Sequence, residues 1–162
     1  PETLPKELKP FAHDPKALGL TWGSSKGWYS GSGQCVDLSQ TVAGCLWKGA
    51  PMLLPGNGES SASSAAAAFG TKVSSDPIKS GAVFTSPENK QYGHTGIVSH
   101  IFKNRDILVL EQNYDVLSGI YAGKPNTWNW RYVKKSQYES QGWKFAAPKE
   151  GKADWSGKKT KK

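Results

Sequence analysis

A stripe of apolar residues with helical spacing begins at Cys35, and strand-like runs begin only at Gly81; that order constrains the fold more than any other feature. Cys35, Leu38, Val42, Cys45 and Leu46 fall on one helical face. The Gly/Ser-rich run WGSSKGWYSGSG over 22–33 supplies a loop and a start, and Gly49-Ala50-Pro51 supplies a stop. Residues 55–70 read as a turn followed by a short alanine-rich helix. Asp76-Pro77 marks a turn, and residues 81–84 read as a strand. GHTGIVSHIF and RDILVLEQN are two further β-rich runs joined at Lys103-Asn104, a hairpin pattern. TWNWRYV alternates its aromatics with period two, and GWKFAAP makes a last short strand ending at Pro148. Helices first and strands later predict an α+β domain, with N-terminal helices packed on an antiparallel β-sheet.

Length and composition set the outer limits. The 162 residues suit one domain with its own core. Residues 1–21 are expected to be a Pro- and Lys-rich lead-in, 22–148 the functional domain, and 149–162 a basic tail or linker remnant. No apolar run approaches the ~20 residues that a membrane helix needs. No signal peptide is visible, and the chain opens on Pro1, as expected of a processed or excised piece. Of the net charge of +8, the tail carries half: six Lys stand there against Glu150 and Asp154. Such a tail suits anionic polymers, or is simply a solvated end. Nucleic acid is not expected as a partner, because no basic-aromatic motif appears. A monomer is expected.

Two cysteines bear on the chemistry. On one helix, ten residues apart, Cys35 and Cys45 lie roughly 15 Å from each other, too far for a disulfide. The nucleophilic form of a thiol is the thiolate, which a helix N-terminus and a nearby imidazolium both favour. Cys35 sits at the first turn after a Gly-rich loop; Cys45 sits near the other end of the helix, where the dipole is unfavourable. The competing reading of either is a small buried hydrophobe.

A base would have to be histidine. His13 lies in the lead-in; His94 and His100 share a strand and, by period two, one face. His94 begins the strand after Tyr92-Gly93, whereas His100 lies beside the hairpin turn. A two-residue tip at Lys103-Asn104 pairs His94 with Asn113 and sets Glu111 on the diagonal, within reach of long side chains. Any even tip keeps the three on one face, and an odd tip splits them. A carboxylate ending a buried-looking strand needs a partner, and orienting an imidazole is one use for it. The alternative is that Glu111 marks the strand's exposed end.

Gly33-Gln34-Cys35-Val36-Asp37-Leu38, Gly93-His94-Thr95-Gly96-Ile97-Val98 and Leu110-Glu111-Gln112-Asn113, in that order and spacing, resemble the CHAP family, the cysteine- and histidine-dependent amidohydrolases and peptidases. Trp143-Lys144-Phe145 before Pro148 is similar to that family's last strand. The resemblance covers roughly residues 28–148. It implies a papain-like α+β fold related to NlpC/P60. It implies that Cys35 attacks an amide, that His94 is the base, and that Glu111 and Asn113 orient His94. It implies peptidoglycan as the substrate, cut in its stem or crossbridge or at the sugar–peptide amide, and hence action in the bacterial cell wall by a secreted or phage-delivered enzyme.

Backbone N–H groups at the helix start, with the Gln34 side chain, are expected to hold the oxyanion. Trp28, Tyr29, Tyr92 and Trp128 are candidate walls of the substrate cleft. Two departures stand out. Ala82 replaces a frequent acidic residue, and residues 22–34 contain no acid, whereas some members bind calcium there. No metal or cofactor is therefore expected. The rival readings are a non-catalytic wall-binding module and a cysteine peptidase acting on a non-wall substrate.

Overall fold

In the computed structural model, which describes residues 4–21, 28–30, 32–112, 114–115, 119–120 and 128–157, the apolar stripe becomes helix α1 (Cys35–Lys48). Gln34 caps it in extended conformation. The Asp37 carboxylate, one turn in, accepts from the backbone N–H groups of Ser30 and Gly33 at 2.9 and 3.3 Å, so the loop before Cys35 is tied to the helix it starts. Left-handed Gly49 ends α1. The alanine block forms α2 (Ser61–Phe69). Then come β1 (Val83–Ser86), β2 (His94–Ile101), β3 (Ile107–Gln112), a short ladder of β4 (Tyr114–Asp115) with β5 (Gly119–Ile120), β6 (Trp128–Val133), α3 (Lys135–Ser140) and β7 (Lys144–Ala146). The main sheet is antiparallel throughout, in the order β6-β3-β2-β1-β7. Helices α1 and α2 precede the strands, as the pattern predicts, whereas α3 lies between β6 and β7.

The inner strand β3 is buried along its whole length, which is why ILVL is a continuous apolar run rather than an alternation. Leu108 and Leu110 face the core that α1 covers with Leu38, Val42 and Leu46. Ile107 and Val109 face a second core with Phe84, Val98, Trp143 and Phe145. Helix α3 was not foreseen: KSQYES carries a single apolar anchor, Tyr138, and has no helical stripe.

The hairpin departs from expectation twice, and the departures cancel. Its tip is three residues, 103–105, with Arg105 in the left-handed region (φ 74°), closed by Phe102 N–H to Asp106 O at 2.8 Å. An odd tip alone would put Glu111 on the face opposite His94. A bulge between Val98 and His100 adds one residue on the other strand and restores the register, so Gly96 faces Glu111 and Glu111 is diagonal to His94. The same bulge corrects the shared face expected for the two histidines. His100 pairs with Leu108 and packs its ring on Phe11 and Phe102, centroids 4.5 and 4.8 Å away, while His94 lies against Phe84 on the opposite face.

Both terminal segments pack on this core as far as they are described. Leu18 and Leu20 are buried within it. The Trp155 indole donates to Ser80 Oγ at 2.9 Å and stacks on His13 at 4.5 Å. The stretch expected to start the tail therefore lies against the domain up to residue 157, and residues 158–162 lie outside the described ones.

Candidate active site

Cys35 is the first residue of α1, so its side chain sits where the helix presents unpaired backbone N–H groups. It is 2 % exposed. The loop ahead of it is held by Asp37, and the carbonyl of Gln34 is held by Gln112 Nε2 from the end of β3 at 2.9 Å. Gln34 itself is exposed.

His94 is the first residue of β2 and fully buried. Gly93 sets its position. Gly93 is left-handed (φ 71°), and a Cβ there would lie 2.5 Å from the Glu59 N atom, so only glycine lets the single 3₁₀ turn at Gly58–Ser60 close on the start of β2. Gly96 has a similar role further along β2. A Cβ there would lie 2.5 Å from Leu110 O and 2.6 Å from the Phe84 ring, and the missing side chain leaves His94 and Glu111 neighbours across the strands.

The His94 Nε2 atom is 2.9 Å from Glu111 Oε1, and neither side chain is exposed. The Cys35 thiol lies close enough to the imidazole to help raise its pKa. With Nε2 turned to Glu111, the nitrogen left for the thiol is Nδ1. Cys35, His94 and Glu111 thus lie in series, from the start of α1 through the start of β2 to the inner strand β3.

Sequence reasoning missed the next links. Arg131, on the face of β6 that Glu111 shares, donates from Nε to Glu111 Oε2 at 2.8 Å and from Nη2 to Glu111 Oε1 at 3.0 Å. Its other side grips Glu88, Nη1 to Oε2 at 2.6 Å and Nη2 to Oε1 at 2.8 Å. The signal was present in TWNWRYV: with Trp128 and Trp130 facing the α1 core, Arg131 must face the other side, where a buried carboxylate needs a counter-charge. Glu88 gave no such signal, because it lies between β1 and β2 in a loop.

The electrostatics follow from burial and partners. Burial alone would lower the His94 pKa, but the hydrogen bonds to Cys35 and Glu111 and their charges outweigh it and raise it to about 9. Burial works to raise the Glu111 pKa, and the Arg131 charge, aided by His94, holds it below the usual value. Both shifts stabilise the fold. The His94 contribution is complete below the ordinary histidine value of 6.5 and is lost as pH rises through about 9. The Glu111 contribution is present above the ordinary glutamate value of 4.5 and is lost as pH falls. Cys45 lies apart in the core at 3 % exposure, where burial pushes its thiol up to about 11.

The proposed cleft walls divide. Trp28 and Trp128 stack at 5.9 Å within the core beneath α1, because two large apolar rings gain more from burial than from a wet rim. Tyr29 and Tyr92 are exposed, 43 % and 44 %, one on the loop before Cys35 and the other two residues before His94. A cavity of about 400 Å³ opens beside Gly93, with Glu59, Ser86, Asn89 and Lys90 among its lining. Asn113 lies outside the described residues. Among the described residues, no group of three or more His, Cys, Asp or Glu is placed to hold a metal ion.

Comparison with known proteins covers the same part of the chain. The family model for the CHAP domain matches residues 24–113, more than half of the chain and the segment that holds Cys35, His94 and Glu111. No curated protein matches the sequence. Arg131 lies beyond the matched region. A helix-borne cysteine, a strand-borne histidine and helices on a five-stranded antiparallel sheet, within a sequence that the family model matches, make this chain a member of the CHAP family.

Proposed function

We propose that this chain is a cell-wall hydrolase that cuts an amide bond of peptidoglycan with Cys35 as nucleophile. CHAP membership points to amidase or peptidase chemistry. The observation that carries the finer reading is the buried His94–Glu111 bond of 2.9 Å, with Cys35 at the helix start within reach of the same imidazole. A proton passes from Cys35 to His94, and Glu111 accepts from Nε2 of the resulting imidazolium. The thiolate adds to the scissile carbonyl carbon, and the oxyanion is held by N–H groups at the start of α1 with the Gln34 side chain. The C–N bond breaks as His94 returns its proton to the leaving amine. Water, deprotonated by His94, then attacks the thioester and releases the carboxylic acid and the thiol. In this reading Asn113 assists Glu111 in orienting the ring, and Tyr29 and Tyr92 flank the substrate.

The site is expected to act in the bacterial cell wall on a strand presented from outside the protein, with the lysines of 158–162 drawing the enzyme toward anionic wall polymers. Among the described residues no helix is long and apolar enough to cross a membrane. Digestion of purified peptidoglycan tests the proposal: new free amines should appear without new reducing sugar ends, and fragment masses name the bond. Binding without amine release would identify a wall-binding module instead. Release of amines from ordinary peptides but not from peptidoglycan would identify a peptidase with a different substrate.

Two further outcomes are expected. Glu111→Gln should fold and lose roughly a hundredfold in kcat, less than loss of a reacting group, since an amide still meets the ring without its charge. EDTA should leave activity and melting temperature unchanged, since the loop before Cys35 supplies no carboxylate for a hard cation. A calcium-reversible loss would show ligands elsewhere.

A further inference from the structure

The Glu111 carboxylate is fully buried, yet it is asked to serve as an ion beside His94. Its counter-charge is Arg131, and the geometry of that pair is specific. The oxygen that takes the His94 bond, Oε1, also accepts from Arg131 Nη2, and Oε2 accepts from Arg131 Nε, so both carboxylate oxygens are fixed by one rigid fork. Glu88 holds the fork from its far side, and Ser86 Oγ donates to Glu88 Oε1 at 2.8 Å. The guanidinium lies over the Trp143 ring at 5.4 Å; Trp143 stacks on Phe84 at 4.7 Å, and Phe84 packs against His94. The clamp and the imidazole therefore rest on one aromatic block.

We propose that Arg131, braced by Glu88, is a positioning residue of this site that fixes the Glu111 carboxylate on His94 Nε2 and so sets the ion pair of Cys35 and His94. The inference rests on the reading of Cys35 and His94 as nucleophile and base. The charged groups involved are Cys35 on α1, His94 on β2, Glu111 on β3, Arg131 on β6 and Glu88 between β1 and β2. Glu88, Arg131 and Glu111 together present one net negative charge to the imidazolium. Without the guanidinium, Glu111 either takes up a proton and stops supporting the imidazolium, or leaves an extra negative charge near the thiolate. Both outcomes make the thiolate form at higher pH. A purely structural tie between β6 and the β1–β2 loop would change melting but leave that pH in place.

The test reads thiolate formation directly and needs no substrate. In a Cys45→Ala background, the rate of Cys35 alkylation by iodoacetamide is followed by mass spectrometry from pH 4 to 10, alongside the melting temperature. Arg131→Gln should move the onset up by about one pH unit, roughly a tenfold slower reaction on the acid side, and meet the parent rate at high pH. Arg131→Lys keeps the charge and should recover some of the shift. Glu88→Gln removes a negative charge and should move the onset down. A folded Arg131→Gln protein with the parent profile overturns the proposal; if that variant does not fold, an unmoved Glu88→Gln profile does so. A parent that alkylates only like an ordinary thiol, with onset near pH ~8.5, overturns the reading of Cys35 and His94 and this inference with it.

Discussion

Cys35→Ala should abolish amide hydrolysis while leaving the fold in place, a loss on the order of 10⁴-fold or more because no other group can form the thioester. The substitution removes a sulfur at the first residue of α1, where the loop is held by Asp37 and by Gln112 rather than by the thiol, so melting should change little. The matched control is Cys45→Ala. That thiol is on the same helix and also buried, but burial holds it protonated to about pH 11. Its loss should cost about 1 kcal/mol of packing and leave most of the activity. Activity measured on purified peptidoglycan for the two variants, with melting curves, decides between them. A dead Cys45→Ala enzyme with an active Cys35→Ala one would move the nucleophile to the wrong end of the helix.

His94→Ala should be about as inactive as Cys35→Ala, since the thiol loses its proton acceptor and the leaving amine its proton donor. The two losses should not add in the double variant, because the pair acts as one unit. His100→Ala is the control. The bulge turns His100 to the other face of the sheet, where its ring packs on Phe11 and Phe102, so its removal should lower the melting temperature and spare kcat. The pH profile carries a second expectation. His94 must be protonated to release the amine, so activity should fall as pH rises through about 9. An alkaline limb near 6.5, the ordinary histidine value, would mean that Glu111 does not hold the imidazolium as the geometry requires.

Much of this site is legible in the sequence because its components lie on elements with strong local patterns. The stripe from Cys35 to Leu46 fixes the helix and its start, and the glycines around His94 mark places where backbone comes close. The juxtaposition of His94 and Glu111 was also within reach, though by a route the sequence hides. The tip around Arg105 is odd, and the bulge at Ser99 compensates; neither leaves an Asn-Gly signal, because Arg105 takes the left-handed conformation that glycine would advertise. What stayed illegible depends on contacts distant in the chain. Arg131 finds Glu88 across 43 positions, and Trp28 finds Trp128 across a far longer stretch, so an indole read as a cleft wall is a core residue. Trp155 was hidden in a basic segment whose composition suggests a solvated end, yet one indole and its bond to Ser80 dock that segment on the core.

The most direct test of the account blocks one sulfur without altering the sequence. Treated with iodoacetamide at neutral pH, the protein should gain a single carboxamidomethyl group, mapped by peptide mass spectrometry to Cys35, and amine release from peptidoglycan should fall in proportion to that labelling while Cys45 stays unmodified. Full activity in protein whose Cys35 is completely alkylated would contradict the assignment of Cys35 as the nucleophile.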